Sequence, residues 1–328
     1  MTRTLVILAT VTLAACTQVT DAPDGTSTTK TDECLNAIAS QSPANGDTDV
    51  YYRTNVFFTL AMPDPAATIT IADTAGNVVP GSTGVVDTIL TWSGDALESE
   101  TTYNATLSYE CGDAIVSWTT SATGSPTDVD VTNTVYDLDI LSGVWREPNE
   151  QFGALIMPFI ADAQLLLMPT SVSAEIDILG AIGNGIDQES CLPTIPFPTA
   201  TYEDPFFFLT APNLPLQVAD IIVEIDDLEL SGAFAPDGSR IQGAQLRGVI
   251  DTADLGPAFS AGADPDAVCE LAGAIGVECE TCANGNETCI RVWIDDIDAE
   301  AAPNVPELVE RTQADIDTDP ACGATTAP

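Results

Sequence analysis

Residues 218–250 read VADIIVEIDDLELSGAF, then APDGSR, then IQGAQLRGVI. Apolar residues alternate with polar ones on both sides of Pro236-Asp237-Gly238-Ser239. Asp-Gly supplies the tight turn that joins two antiparallel strands, so the stretch predicts a long β-hairpin turning at Asp237-Gly238. The same period of two recurs at Tyr136-Asp137-Leu138-Asp139-Ile140, at Val129-Asp130-Val131 and at Ile290-Arg291-Val292-Trp293-Ile294. Residues 128–328 therefore read as a β-rich domain, a sandwich or an open barrel, with minor helix. One short helix is expected after Asp264-Pro265, with aspartate as N-cap and proline at the first helical position. A second is expected within Pro306–Ile316.

Working back toward the N-terminus, shorter runs alternate in the same way between turn signals. They are Val56–Leu60, Thr68–Ile71, Thr88–Trp92, Tyr103–Leu107 and Ile115–Trp118. Their spacing is that of a β-sandwich over residues 34–123. Ser42-Pro43-Ala44-Asn45-Gly46, Asp49-Val50 and Thr54-Asn55-Val56-Phe57, with Leu97, Thr101-Thr102-Tyr103 and Trp118-Thr119-Thr120, resemble the bacterial Ig-like domains of surface-layer and adhesin proteins. The resemblance implies a seven-stranded sandwich used as a spacer or binding module, without catalytic residues. It also implies that Tyr103 makes a corner hydrogen bond. In the topology of such a sandwich Cys34, before the first strand, neighbours Cys111 in the last hairpin, a pair that these domains do not generally carry.

Composition bounds the function. The chain has 328 residues, 50 acidic and 8 basic side chains, no histidine and nine cysteines, for a net charge of −42. Eight cations cannot build a phosphate-tracking face, so nucleic acid is excluded as a partner. Without histidine there is no Ser–His–Asp or Cys–His catalysis and no histidine-ligated metal. No nucleophile elbow or phosphate loop stands in the chain. No catalytic residue, cofactor or metal ligand is expected.

Arg3, the apolar run Leu5–Leu13 and then Leu13-Ala14-Ala15-Cys16 resemble the signal peptide and lipobox of bacterial lipoproteins. The run is too short to span a bilayer. The resemblance implies removal of residues 1–15 and lipidation of Cys16, with the membrane as partner through the acyl chains. Loss of Arg3 takes the charge from −42 to −43. Thr17 stands where an aspartate retains lipoproteins in the inner membrane, which points to the outer membrane. Residues 16–33 are polar and small, a flexible tether.

The remaining eight cysteines divide evenly: Cys34 and Cys111, then Cys191, Cys269, Cys279, Cys282, Cys289 and Cys322. An even set in an exported chain reads as disulfides, although six cysteines allow about 15 pairings. Cys279-x2-Cys282 also has the spacing of a zinc or redox motif, but no cation adjoins it in sequence to lower a thiol pKa.

Two further features bear on function. Gln151–Ala161, Ala163–Ala174, Ser190–Tyr202 and Pro205–Ala219 are apolar stretches. Phe206-Phe207-Phe208 must point to both faces of a strand, serving a two-sided core or lining an apolar pocket. Asp226-Asp227, Asp295-Asp296-Ile297-Asp298 and Asp315-Ile316-Asp317-Thr318-Asp319 have the closely spaced carboxylates that can ligate calcium. The expected function is that of a non-catalytic, lipid-anchored envelope protein with a structural, adhesive or binding role toward an envelope or extracellular partner. An apolar-ligand carrier and a carboxylate-based hydrolase are the alternatives.

Overall fold

The computed structural model describes residues 34–160, 164–185, 187–218, 221–256 and 264–322. The signal segment 1–15, Cys16 and the tether through residue 33 lie outside the described residues. The chain divides into two units, Met1–Leu35 and Asn36–Pro328. Of the first, Cys34 and Leu35 are described and both are exposed. The second is mainly β with minor helix.

Its first part is a sandwich of β1 (Ile38–Ser42), β2 (Val56–Leu60), β3 (Thr68–Asp73), β4 (Gly81–Val86), β5 (Ile89–Gly94), β6 (Thr102–Tyr109) and β7 (Gly112–Thr119). One sheet runs β1-β2-β5-β4 and the other β3-β6-β7. Alternation sends Val56, Phe58, Leu60, Leu90 and Trp92 inward from one sheet, against Ile69, Ile71, Leu107, Val116 and Trp118 from the other. Each fully buried large side chain contributes about 2 kcal/mol. Tyr103, 3% exposed, accepts the backbone N–H of Glu98 on its hydroxyl at 2.9 Å. That is the corner bond expected of it.

The second part comprises β8 (Tyr136–Asp139), β9 (Val144–Glu147), α1 (Glu150–Ile160), β10 (Gln164–Val172), β11 (Glu175–Gly183), β12 (Ile195–Pro196), β13 (Ala200–Glu203), β14 (Phe206–Val218), β15 (Ile221–Phe234), β16 (Arg240–Asp251), α2 (Ala267–Ala274), β17 (Cys289–Ala301) and α3 (Gln313–Thr318). The hydrogen-bonded order is β10-β8-β17-β16-β15-β14-β13-β11. β11 then pairs back onto β10, with Gly183 facing Gln164, Ile182 facing Leu165 and Gly180 facing Leu167. That pairing closes the ring, so the barrel is closed rather than open. Closure removes the unpaired edges that an open sheet would leave.

The barrel interior is filled by side chains. Phe234 sits 5.5 Å from both Tyr136 and Phe207, among Leu138, Leu230 and Val292. The expected hairpin is β15–β16, with Gly238 at a φ of 68° in its turn. Outside β10 and β11, Leu166, Met168, Leu179 and Ala181 pack against Leu308. The segment carrying Leu308 is held by Gln188, which donates to the Val309 carbonyl at 2.9 Å and accepts the Val309 N–H at 2.6 Å.

Three further expectations are corrected. Val129-Asp130-Val131 is not a strand: the Asp130 side chain takes the Thr132 N–H at 2.9 Å, a local turn that competes with a ladder. The helix expected from Asp264 begins at Ala267, with Asp266 as its N-cap, because Asp264 caps the preceding turn by accepting the Asp266 N–H. The helix expected within Pro306–Ile316 spans Gln313–Thr318, started by a Thr312/Asp315 capping box.

Candidate functional site

The sandwich packs on the outer face of the barrel, and the strand period decides which barrel residues meet it. Phe207 points into the barrel core, whereas Phe206 packs against the sandwich core, as does Ala233 of the adjoining strand. The Phe206-Phe207-Phe208 triplet thus serves two faces. Across β15 and β16, Glu229 faces Arg247, Ser231 faces Gln245 and Ala233 faces Gln242. From the sandwich come Tyr51, Arg53, Thr54 and Asn55, which precede β2, and the end of β5.

Polar contacts lock the seam. Arg240 Nη2 donates to Asp49 Oδ1 at 2.8 Å and Oδ2 at 2.7 Å. Gln242 donates to the Asp49 carbonyl at 2.7 Å and accepts the Ser121 hydroxyl at 2.7 Å. The Arg146 guanidinium lies 4.2 Å over the Phe57 ring. Gly243 has a φ of +60°, and a Cβ there would stand 2.1 Å from the Tyr51 ring. The close approach of the two parts therefore requires glycine.

Beside this contact lies a cleft of about 330 Å³. Trp92 and Asn55 line it from the sandwich, and Phe206, Phe208, Glu229 and Gln245 from the barrel. Arg53 and Arg247 also line it. The Arg53 guanidinium stacks 3.9 Å over Phe206, and Arg247 stacks 4.1 Å over Trp293. The Tyr51 ring forms part of the wall, and its buried hydroxyl has no hydrogen-bond partner among the described residues. Apart from the phenylalanines, the sequence marks none of these residues as a site. Their one sequence signal is scarcity: arginine is rare in this chain.

A second recess of about 230 Å³ is acidic, lined by Asp47, Asp49, Asp296 and Asp298. Asp296 and Asp298 come from one of the three acidic runs. Asp47 Oδ2 already accepts the Ala44 N–H at 2.7 Å, and Asp49 is occupied by Arg240. Buried Asp295 accepts from Gln245 at 2.8 Å and pairs with Arg146 at 3.6 Å. Burial, then the Asp295 charge, push the Asp296 carboxyl from 3.8 up to about 6.

The folded state binds the Asp296 proton more tightly than the unfolded chain does, so this group's contribution is lost as pH rises from about 4 through 6. Asp296→Asn should abolish that loss and make the chain about 2–3 kcal/mol more stable than wild type at pH 7. The gap should vanish near pH 4. Urea unfolding of both proteins at the two pH values checks it.

The other acidic motifs lie elsewhere. Asp226 accepts from Asn213 at 2.9 Å, and Asp227 occupies an αL position with a φ of 49°. Asp315 caps α3, and Asp319 pairs with Arg311 at 2.7 Å. The run Asp315-Ile316-Asp317-Thr318-Asp319 is thus a capped helix and its exit.

The cysteines of the second part close among themselves as Cys191–Cys322, Cys269–Cys279 and Cys282–Cys289. Cys279 and Cys282 fall in different bridges, which leaves that pair no thiol for zinc or exchange. Cys34 and Cys111 are also disulfide-bonded.

No family model matches the chain, and no curated protein does. Among solved structures, CopC from Methylosinus trichosporium OB3b is similar at 17% identity, over 26% of this chain and 93% of that one, with a TM-score of 0.23. No helix among the described residues is long and apolar enough to cross a membrane.

Proposed function

We propose that this protein is a non-catalytic binding protein of the bacterial envelope, held by lipid on Cys16, with its ligand site in the cleft between sandwich and barrel. The carrying observation is the cleft itself, whose walls come from both parts and whose residues lie far apart in sequence. The sandwich then acts as more than the spacer that its Ig-like resemblance suggests, because it supplies one wall. Cys34 follows the tether in sequence, and we pair it with Cys111. Export to the outer membrane suits the three bridges of the second part and the acidic composition. A carrier of apolar ligands fits less well, because aromatic side chains pack the described barrel interior.

Anchoring is tested by Cys16→Ser. The variant should lose lipoprotein processing and leave the detergent-soluble membrane fraction, while its cleft binds as before. Metabolic labelling with a fatty acid and membrane fractionation read this directly. Continued fatty-acid labelling would place the anchor elsewhere.

A further inference from the structure

Two arginines stand apart in their charge pairing. Of the six basic residues among those described, four make ion pairs: Arg146 with Asp295, Arg240 with Asp49, Arg291 with Glu280 and Arg311 with Asp319. Arg53 and Arg247 make none among the described residues, although acids outnumber bases 50 to 8 in the chain. Both of them line the same cleft.

Their posture suits an oxyanion. Each guanidinium lies against an aromatic ring, at 3.9 Å for Arg53 on Phe206 and 4.1 Å for Arg247 on Trp293. Stacking uses the faces of the guanidinium and leaves its in-plane N–H fork for a bidentate partner. Arg53 Nε is spent on the Tyr52 hydroxyl at 3.1 Å, so its terminal nitrogens remain. Arg247 Nε and the Tyr51 hydroxyl are buried with no hydrogen-bond partner among the described residues, and such donors cost stability when left unmade.

The rest of the lining narrows the ligand. Glu229 and Asp95 stand in the cleft with neutral Asn55, Ser93 and Ser231. Carboxylates, amides and hydroxyls accept hydrogen bonds from ligand hydroxyl groups. Two negative charges inside the cleft would meet repulsion from the two acids, whereas a hydroxylated unit with a single carboxylate satisfies both sets. The cleft volume of about 330 Å³ lies at the lower end for small-molecule sites.

Resting on the reading of this cleft as the ligand site, we infer that it recognises a hexuronic-acid type of ligand, with Arg53 and Arg247 holding the carboxylate and the neighbouring acids and amides taking hydroxyls. The source is a uronate residue within a glycan or the free sugar acid.

Calorimetric titration of the purified protein with trigalacturonate, its methyl ester and monomeric galacturonate tests this. The acid trimer should bind at least tenfold more tightly than the ester. Arg53→Gln and Arg247→Gln should each lose at least tenfold with an unchanged melting temperature, while Arg291→Gln, outside the cleft, should bind like wild type. Tighter binding of trimer than monomer marks a glycan, and equal binding marks the free acid; both support the inference. Equal binding of acid and ester by the wild-type protein would overturn the carboxylate inference and leave the cleft as a neutral-ligand site. Binding of neither would overturn the cleft reading as well. The acid–ester comparison uses unaltered protein, so it decides even where an arginine variant fails to fold.

Discussion

Gly243→Ala is expected to destabilise the protein by about 3 kcal/mol and to disrupt the cleft. Two costs add. An alanine must adopt a φ of +60°, which costs about 1–2 kcal/mol for a residue with a Cβ. The methyl must also displace the Tyr51 ring, which it would approach to 2.1 Å, and overpacking costs about 1–3 kcal/mol. Tyr51 is 6% exposed, so the ring has little room to move. Urea unfolding measures the loss. Adding Tyr51→Ala should recover the part that comes from the clash, because mutations at touching residues are not additive. An unchanged midpoint for Gly243→Ala would show that the two parts do not meet there.

Removing the Cys191–Cys322 bridge by a double alanine substitution should cost up to about 5 kcal/mol, the chain-entropy limit for a loop of this length. The two cysteines are 131 residues apart in sequence, far more than the separations of 10 and 7 in the neighbouring bridges. The bridge fastens the segment that covers the outside of β10 and β11. Without it, the Gln188–Val309 bonds and the Thr194–Arg311 pairing, at 2.9 Å from the Thr194 nitrogen to the Arg311 carbonyl, must hold the segment alone. Cleavage by trypsin after Arg311 should therefore become faster as the unfolding midpoint falls. Unchanged stability and proteolysis would mean that the strap is held by its packing and hydrogen bonds.

What is legible in the sequence follows from how many faces of each strand are covered. β2 and β6 bury one side, so Val56–Leu60 and Tyr103–Leu107 alternate visibly. β15 and β16 announce their hairpin through Asp237-Gly238. By contrast, β10 and β11 are covered inside by the barrel core and outside by Leu308. Their residues are apolar on both faces over Leu165–Met168 and Leu179–Gly183, and there the period of two disappears. β4 is largely exposed and carries no apolar stripe. α1 is hidden by Pro158 within an apolar run, although Asn149 accepts the Phe152 N–H at 2.9 Å as its cap.

The cleft is less legible still. Its residues come from distant segments, and each looks ordinary where it stands. Arg53 follows two tyrosines, and Arg247 sits between Leu246 and Gly248. Only the closed barrel brings Phe206, Glu229 and Arg247 to one outer face, and only the docked sandwich sets Arg53 and Trp92 opposite them. The scarcity of arginine hints that each one has a purpose, but which of them lack acidic partners is a property of the folded chain.

The most direct test of the account is where a ligand lands. Trigalacturonate titrated into isotopically labelled protein, followed by nitrogen–proton spectra, should shift the Nε signals of Arg53 and Arg247 and the indole signal of Trp92 together, with one saturation curve. Those of Arg291 and Arg311, held in ion pairs away from the cleft, should stay in place. Shifts confined to other residues, or none at saturating ligand, would contradict the assignment of the seam as the binding site.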